Sequence, residues 1–136
     1  MDTIKERAFR LLDKCEVVTI ATVGDGGFPY PVPVAKIAAE RPFTVWIATG
    51  SGSEKVRHIR RDARCGLSFF DRDDSVSLTG EAEVVSEPSV RRAMWQDWFA
   101  GHFPGGPDDP AYCLVRFRAR EGTFYIGGEF VRLPAE

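Results

Sequence analysis

The stretch SVSLTGEAEVV, residues 75–85, alternates apolar and polar side chains along its whole length. Its apolar or small residues all fall on one side: Val76, Leu78, Gly80, Ala82 and Val84. Successive side chains of a β-strand point to opposite faces of a sheet, so this alternation indicates a strand with one face on the core. The stretch predicts a long strand and favours a β-rich fold.

Further strands are predicted on both sides of this stretch. They cover residues 16–23, 30–38, 43–49, 65–70, 112–120 and 123–126, with 130–133 as an extension of the last. Helices are predicted over residues 3–14, 54–62 and 88–101. Short turns between consecutive strands favour antiparallel pairing. Six or more strands with few interspersed helices predict a mainly β antiparallel barrel and argue against a doubly wound parallel sheet.

The bulk composition limits the possible functions. The 136 residues fit one domain, 1–136, and an apolar fraction of 43% argues against wholesale disorder. Eighteen basic and twenty acidic residues give no sign of a nucleic-acid or membrane partner. Residues 1–15 form a charged helical pattern, which is not that of a signal peptide. Three widely spaced cysteines and two histidines predict no metal site, and they favour reduced thiols in a cytoplasmic protein.

The segment TGSGSEK, residues 49–55, is the strongest candidate for a ligand site. It joins a predicted strand to a predicted helix. The N-cap of that helix is either Ser51, which has capping-box spacing to Glu54, or Ser53. Free backbone N–H groups at a helix start, together with Lys55, suit a phosphate. The spacing is not that of a Walker loop. A capped helix start with a solvated lysine is the alternative interpretation.

Other polar and aromatic groups are weaker candidates. His58 lies in an arginine-rich helix and is expected to be solvated, and His102 is expected to cap a helix end. The aromatic side chains of the helical segment 87–102 pack on the barrel or form a dimer contact: Trp95, Trp98 and Phe99. No nucleophile–base arrangement is evident, so the catalytic residues are unknown.

Four stretches together resemble the FMN-binding split barrels of the pyridoxamine 5′-phosphate oxidase-like family, and most closely its general-stress-protein branch. They are GGFPYPVPV at 26–34, ATGSGSEKVRHIRRDARCGLSFFD at 48–71, VSLTGEAEVV at 76–85 and MWQDWFAGHFPGGPDDPAYCLVRF at 94–117. The last is the most specific, because the loop FPGGPDDP after an aromatic helix is typical of the family.

The resemblance implies a six-stranded split barrel that forms a homodimer with FMN at the subunit interface. By analogy, Thr49, Ser53 and Lys55 hold the FMN phosphate, with Ser51 between them. The resemblance also implies contacts near the flavin ring from Ser75 and from the backbone of Val32, Pro33 and Val34. It implies a further cofactor contact from Tyr125, which stands in a place similar to that of a C-terminal tryptophan of the oxidase.

Two departures from the family pattern bear on activity. Val32 stands where many relatives have an arginine, and Lys36 is a candidate substitute for it. Near the C-terminus, Arg132 lacks the accompanying histidine of the oxidase proper. With these departures, the resemblance implies an FMN-dependent oxidoreductase that acts on an unidentified small molecule and is not an efficient pyridoxamine phosphate oxidase. The alternatives are a non-catalytic flavin-binding stress-response protein and a reductase of the same fold that binds the deazaflavin F420. Haem is less favoured, because the sequence shows no obvious axial ligand.

Overall fold

Eight antiparallel strands form one curled sheet in the computed structural model, which describes residues 2–136. The strands are Val17–Val23 (β1), Pro29–Ala35 (β2), Ala38–Glu40 (β3), Thr44–Gly50 (β4), Arg64–Asp71 (β5), Asp74–Val85 (β6), Tyr112–Ile126 (β7) and Glu129–Pro134 (β8). The sheet order is β2-β1-β5-β6-β7-β4-β3, and β8 pairs with β7. The predicted split-barrel fold is confirmed, with eight strands in place of six.

Helices and short turns connect and cover the strands. The helices are Ile4–Lys14 (α1), Glu54–Arg61 (α2) and Pro88–Met94 (α3), and short 3-10 turns cover Asp25–Gly27, Asp97–Gly101 and Gly106–Asp108. Helix α1 begins at the N-cap Thr3, whose hydroxyl accepts from the Glu6 amide. The first residue of the predicted 1–15 helix lies outside the described residues. None of the helices in residues 2–136 has the length and apolarity needed to cross a membrane.

The predicted strand over 30–38 is two strands that pair with opposite ends of the sheet. Strand β2 pairs with β1, and β3 pairs with β4. The change occurs at two residues: the Lys36 amide donates to Glu16 O, and the Ile37 amide donates to Trp46 O. This change of partner brings the two ends of the sheet together, and we call the junction of β2 and β4 the barrel seam.

Strand β7 is continuous, although two strands were predicted over its length. The predicted strands 112–120 and 123–126 leave a break at residues 121–122, which include Gly122. In the structure a side chain at Gly122 would collide with the Phe124 ring, so this glycine makes room for core packing. The sheet accommodates its curvature nearby, where the β6–β7 register shifts between Thr79 and Gly80.

The predicted helix over 88–101 is also wrong in extent, since α3 ends at Met94. Trp95 and Gln96 adopt extended backbone conformations, and a 3-10 turn follows. The cause is tertiary packing, because the Trp95 ring lies edge-on to both Phe99 and Tyr112, with ring centroids 5.3 Å apart in each pair. These rings belong to a second hydrophobic cluster, which lies apart from the main core and includes Trp46 and Leu114. Trp95 and Phe99 therefore pack on the barrel, whereas Trp98 is left 53% exposed.

The opposite side of the sheet is left uncovered by helices. Its middle row of cross-strand partners is small or polar: Pro33, Thr19, Ser68, Ser77, Thr123 and Arg132. The next row carries large apolar side chains, with Phe70 72%, Tyr125 38% and Phe130 68% exposed. Ser75 lies between Phe70 and Tyr125 as the cross-strand partner of both. We call these two rows the uncovered sheet face.

Candidate functional site

A cavity of about 390 Å³ opens at the barrel seam. It lies between the ends of β2 and β4, the start of α2 and the segment around the second 3-10 turn. The lining residues are Val34, Ala35, Ala48, Thr49, Gly50, Lys55, Trp98, Phe99, His102 and Phe103. Three of the predicted site residues, Val34, Thr49 and Lys55, are therefore brought together.

Hydroxyl groups order the start of α2 beside this cavity. The Ser53 hydroxyl accepts from the Val56 amide, which confirms Ser53 as the N-cap. The Thr49 hydroxyl donates to the same Ser53 oxygen at 3.4 Å. Strand β4 and helix α2 are thus joined by a short hydroxyl chain at the first turn of the helix, where backbone N–H groups have no intrahelical partner.

Lys55 is the basic group of the cavity wall, and it is half-buried. It forms no salt bridge with any of residues 2–136. Burial lowers the pKa of the Lys55 ammonium, and the nearby Cys113 acts in the opposite direction. A partly desolvated cation without an internal counter-ion favours an anion from outside.

The outer wall of the cavity is aromatic. It is formed by residues that the sequence analysis did not assign to a ligand site. Trp98, Phe99, His102 and Phe103 all lie in or just after the 3-10 turn. His102 is the C-cap of this turn, with its amide donating to Phe99 O, so the predicted capping role is confirmed, and the same residue also lines the cavity. The signal that could have found this wall is the specific loop FPGGPDDP, which begins at Phe103.

Ser51 and Lys36 have structural partners instead of lining the cavity. The Ser51 hydroxyl donates to Pro110 O at 2.9 Å and so ties the start of α2 to the loop before β7. The Lys36 ammonium donates to Leu12 O at 2.5 Å and Asp13 O at 3.0 Å, at the C-terminal end of α1. Lys36 therefore caps a helix and does not replace the missing arginine.

The remaining predicted ring contacts are dispersed. Val32 is half-buried against the main core, and Pro33 lies on the uncovered sheet face opposite Thr19. Ser75 and Tyr125 are cross-strand neighbours on that same face. The structure thus divides the predicted set between the seam cavity and the uncovered sheet face.

His58 is buried, which corrects the expectation of a solvated side chain. It is 2% exposed, and its Nδ1 lies 2.8 Å from the hydroxyl of Thr22 on β1. Its Nε2 lies 3.5 Å from a Glu54 carboxylate oxygen, and the Tyr30 ring stands edge-on at 5.0 Å. His58 therefore joins α2 to the β1–β2 hairpin as part of the fold.

The cysteines offer no activated thiol. Cys65 and Cys113 are buried and Cys15 is partly buried, and all three are free. Burial raises the pKa of the Cys65 thiol to about 12 and also raises that of Cys113. A nucleophilic cysteine needs a lowered pKa, so these thiols do not have that character.

The fold is a split β-barrel with a cavity at its seam, and that cavity is lined by one lysine and an aromatic wall. A family model described as pyridoxamine 5′-phosphate oxidase matches residues 4–125, and the chain belongs to this family. The family predicted from the sequence is therefore confirmed. No curated protein matches the chain significantly.

Solved structures agree with this fold at low sequence identity. A Clostridium acetobutylicum protein related to general stress protein 26 has a TM-score of 0.84 and 21% identity, covering 94% of this chain and 92% of that one. General stress protein 26 from Bacillus anthracis has a TM-score of 0.78 and 19% identity, covering 96% and 98%. A heme binding protein from Mycobacterium smegmatis has a TM-score of 0.79 and 18% identity, covering 99% of this chain but 59% of that one.

Proposed function

We propose that the seam cavity binds FMN, with the cofactor's phosphate at Lys55 and the start of α2. The observation that carries this proposal is the half-buried, unpaired Lys55 beside the Thr49–Ser53 hydroxyl pair. Such a group is stabilised when a phosphate supplies charge-assisted hydrogen bonds. Backbone N–H groups at the helix start add donors for the same anion.

The cavity also suits FMN in size and polarity. Small-molecule sites are mostly apolar, about 300–1,000 Å³ in volume, and carry a few placed polar groups. The seam cavity, with about 390 Å³ and an aromatic wall, lies within that range. Family membership supports a phosphorylated ligand at this barrel.

The proposed activity is that of a flavin-dependent oxidoreductase on a small molecule without a phosphate. Bound FMN would supply hydride-transfer chemistry. The chain's own residues would hold the phosphate, through Lys55, and exclude water, through Trp98 and Phe103. The cavity offers one lysine, so a second phosphate would find no fixed partner there.

Equilibrium dialysis with FMN, riboflavin and F420 tests this proposal. We expect one FMN site per chain, weaker binding of riboflavin, and FMN preferred over F420. Equal binding of FMN and riboflavin would show that the phosphate has no site. Anaerobic reduction of the FMN complex by NADPH or by reduced F420, followed at the flavin absorption band, tests turnover. A complex that neither donor reduces would instead support the alternative of a non-catalytic flavin-binding protein.

Haem is the second candidate ligand, favoured by His102. This imidazole lines the cavity, and histidine is a common ligand of haem iron. Titration with haem separates the two ligands, since a Soret shift that disappears in His102→Ala would favour haem. Unchanged haem absorption alongside FMN binding would favour flavin.

We also expect little or no oxidation of pyridoxamine phosphate. Neither basic residue named in the two departures from the family pattern lines the cavity: Lys36, the candidate substitute for the missing arginine, is engaged by α1, and Arg132 lies on the uncovered sheet face. A phosphorylated substrate needs a fixed cationic partner beside the flavin. An aerobic assay with saturating FMN, following pyridoxal phosphate, tests this expectation, and turnover of roughly 1 per second or more would contradict it.

The uncovered sheet face is the surface on which we propose that a second copy docks. Its exposed row of Phe70, Tyr125 and Phe130 adjoins a flat row of small and hydroxyl side chains. Exposed apolar patches of this kind are typical of interaction sites, and a two-fold axis would place each aromatic row against its copy or against the flat row. Trp95 and Phe99, by contrast, are used within the chain.

Sedimentation at micromolar concentration tests the homodimer. We expect twice the chain mass for the wild type and the single-chain mass for Phe70→Glu, which places a charge in the apolar row. Phe28→Glu is the matched control, since Phe28 is 75% exposed at the β1–β2 turn. A monomeric wild type that binds FMN fully would overturn the dimer proposal.

A further inference from the structure

The Trp98 side chain is exposed to solvent, yet hydrogen bonds and aromatic contacts hold it in a fixed position. This side chain is 53% exposed at the wall of the seam cavity. The indole Nε1 nevertheless donates to Gln96 Oε1 at 2.8 Å, and Gln96 Nε2 donates in turn to Ile37 O at 3.3 Å. A two-step hydrogen-bond relay thus fixes an exposed tryptophan to the strand connection at the barrel seam.

Aromatic packing fixes the same ring from a second direction. Trp98 lies perpendicular to Phe99, with ring centroids 4.7 Å apart, and Phe99 is 1% exposed. His102 stands edge-on to Trp98 at 6.2 Å. These contacts hold the indole in place while leaving more than half of the side chain open.

A rigid, open indole is suited to binding a planar ring. Large aromatic side chains contribute contact area at low entropic cost, and pre-ordering them reduces the cost further. Stacking on an aromatic side chain needs a π-face and no particular hydrogen-bond pattern. Fixing an exposed tryptophan in this way brings the fold itself little burial.

We propose that Trp98 is the platform for the planar ring of the ligand whose phosphate Lys55 holds. This inference rests on the proposed function, under which the planar ring is the isoalloxazine of FMN. Trp98 and Lys55 line the same cavity, Trp98 from the segment after α3 and Lys55 from α2. Gln96 is a positioning residue that acts through Trp98.

Flavin titration of Trp98→Ala tests the inference, with FMN and riboflavin as separate probes. We expect a loss of about 5- to 150-fold in affinity for both flavins, the range found for stacked rings. The ratio of FMN to riboflavin affinity stays unchanged, because the phosphate contact at Lys55 remains. Bound flavin should also become more fluorescent, since a stacked indole quenches flavin emission.

Three further variants control this experiment. Trp98→Phe keeps a ring without the Nε1 donor and should fall between wild type and Trp98→Ala. Gln96→Ala leaves the indole present but unanchored and should weaken both flavins less than Trp98→Ala. Phe28→Ala removes an aromatic ring that is 75% exposed at the β1–β2 turn and does not line the cavity, so it should leave the fluorescence yield of bound flavin unchanged.

The outcomes separate the inference from the proposed function. If the wild type binds FMN and Trp98→Ala binds it equally well with the same fluorescence yield, the platform is wrong and the FMN site stands. If the wild type binds no flavin, both fail. If Trp98→Ala converts a dimer to a monomer while keeping its flavin affinity, the indole contacts a second copy and the inference is overturned.

Discussion

Helix α2 carries two sets of charges that differ in whether the protein already neutralises them. On one side, both terminal nitrogens of Arg57 lie 3.0 Å from the carboxylate of Asp25 in the β1–β2 turn. Arg61 adds a bond to Asp25 at 2.9 Å, and Glu54 pairs with Arg57. On the cavity side, Lys55 forms no ion pair within residues 2–136.

The difference separates charges that serve the fold from a charge available to a ligand. Hydrogen bonds from Arg57 and Arg61 hold the pKa of the Asp25 carboxyl well below its usual range, so this cluster stabilises the ionised state. Lys55 is half-buried and has no carboxylate partner in the described part of the chain, and burial lowers the pKa of its ammonium group. A charge kept partly buried without an internal partner is more typical of a functional site than of a structural one.

The largest effect on stability is expected for His58→Ala, on the side of α2 that faces the β1–β2 hairpin. The substitution removes a buried ring and leaves the Thr22 hydroxyl without its partner. We expect a loss of about 2–5 kcal/mol in the free energy of unfolding, measured by urea denaturation. Arg60→Ala, on an exposed side chain of the same helix, should change it by less than about 0.5 kcal/mol. Similar small losses for both variants would show that His58 does not join helix and hairpin.

The sequence was sufficient to predict the ligand-site candidates on the cavity side of α2. It was not sufficient to predict the contacts that α2 makes with the β1–β2 hairpin. The strand-to-helix junction at 49–55 is a local pattern, so its glycines, hydroxyls and lysine could be recognised without the fold. The partner of His58 is Thr22, 36 residues earlier, and the neighbouring arginines made the histidine look solvated. The same limit applies to Lys36, whose partners lie on α1.

The strands show the same division between local and tertiary signals. Alternation over 75–85 predicted β6 almost to its ends, because one face of that strand is buried. The end of α3 at Met94 depends on Trp95 packing against Tyr112, and the unbroken β7 depends on Gly122 leaving room for Phe124 and for Leu78 of β6. No periodicity within those segments encodes such contacts.

A smaller, pH-dependent effect is expected for Asp25→Asn. A carboxyl whose pKa is lower in the folded protein contributes stability that is complete above its unfolded pKa, about 3.9, and is lost as the pH falls toward the folded value. The urea midpoint of the wild type should therefore be higher than that of Asp25→Asn at pH 7. The difference between the two midpoints should be smaller at pH 3. Because the pairs are exposed, high salt should narrow it too. A gap that widens in acid would contradict this account.

The smallest effect on stability is expected for Lys55→Met. Unlike His58→Ala and Asp25→Asn, which should destabilise the protein, this substitution should stabilise it slightly. Removing an unpaired, half-buried charge relieves its desolvation, so the ligand-free protein should become about 0.5 kcal/mol more stable or remain unchanged. Arg57→Met should lower the urea midpoint, since it breaks the bonds to Asp25. A clear loss of stability in Lys55→Met would mean that this lysine serves the fold.

Parallel titration of FMN and riboflavin into the wild type, Lys55→Met and Arg57→Met tests the central claim most directly. Loss of a charge-assisted hydrogen bond costs about 1.5–3 kcal/mol, or roughly 10- to 150-fold in affinity. We predict that Lys55→Met loses this factor for FMN alone, while riboflavin affinity is unchanged and Arg57→Met keeps the wild-type ratio. If Lys55→Met weakens both flavins equally or neither, the phosphate does not bind at Lys55 and the account of the cavity is wrong.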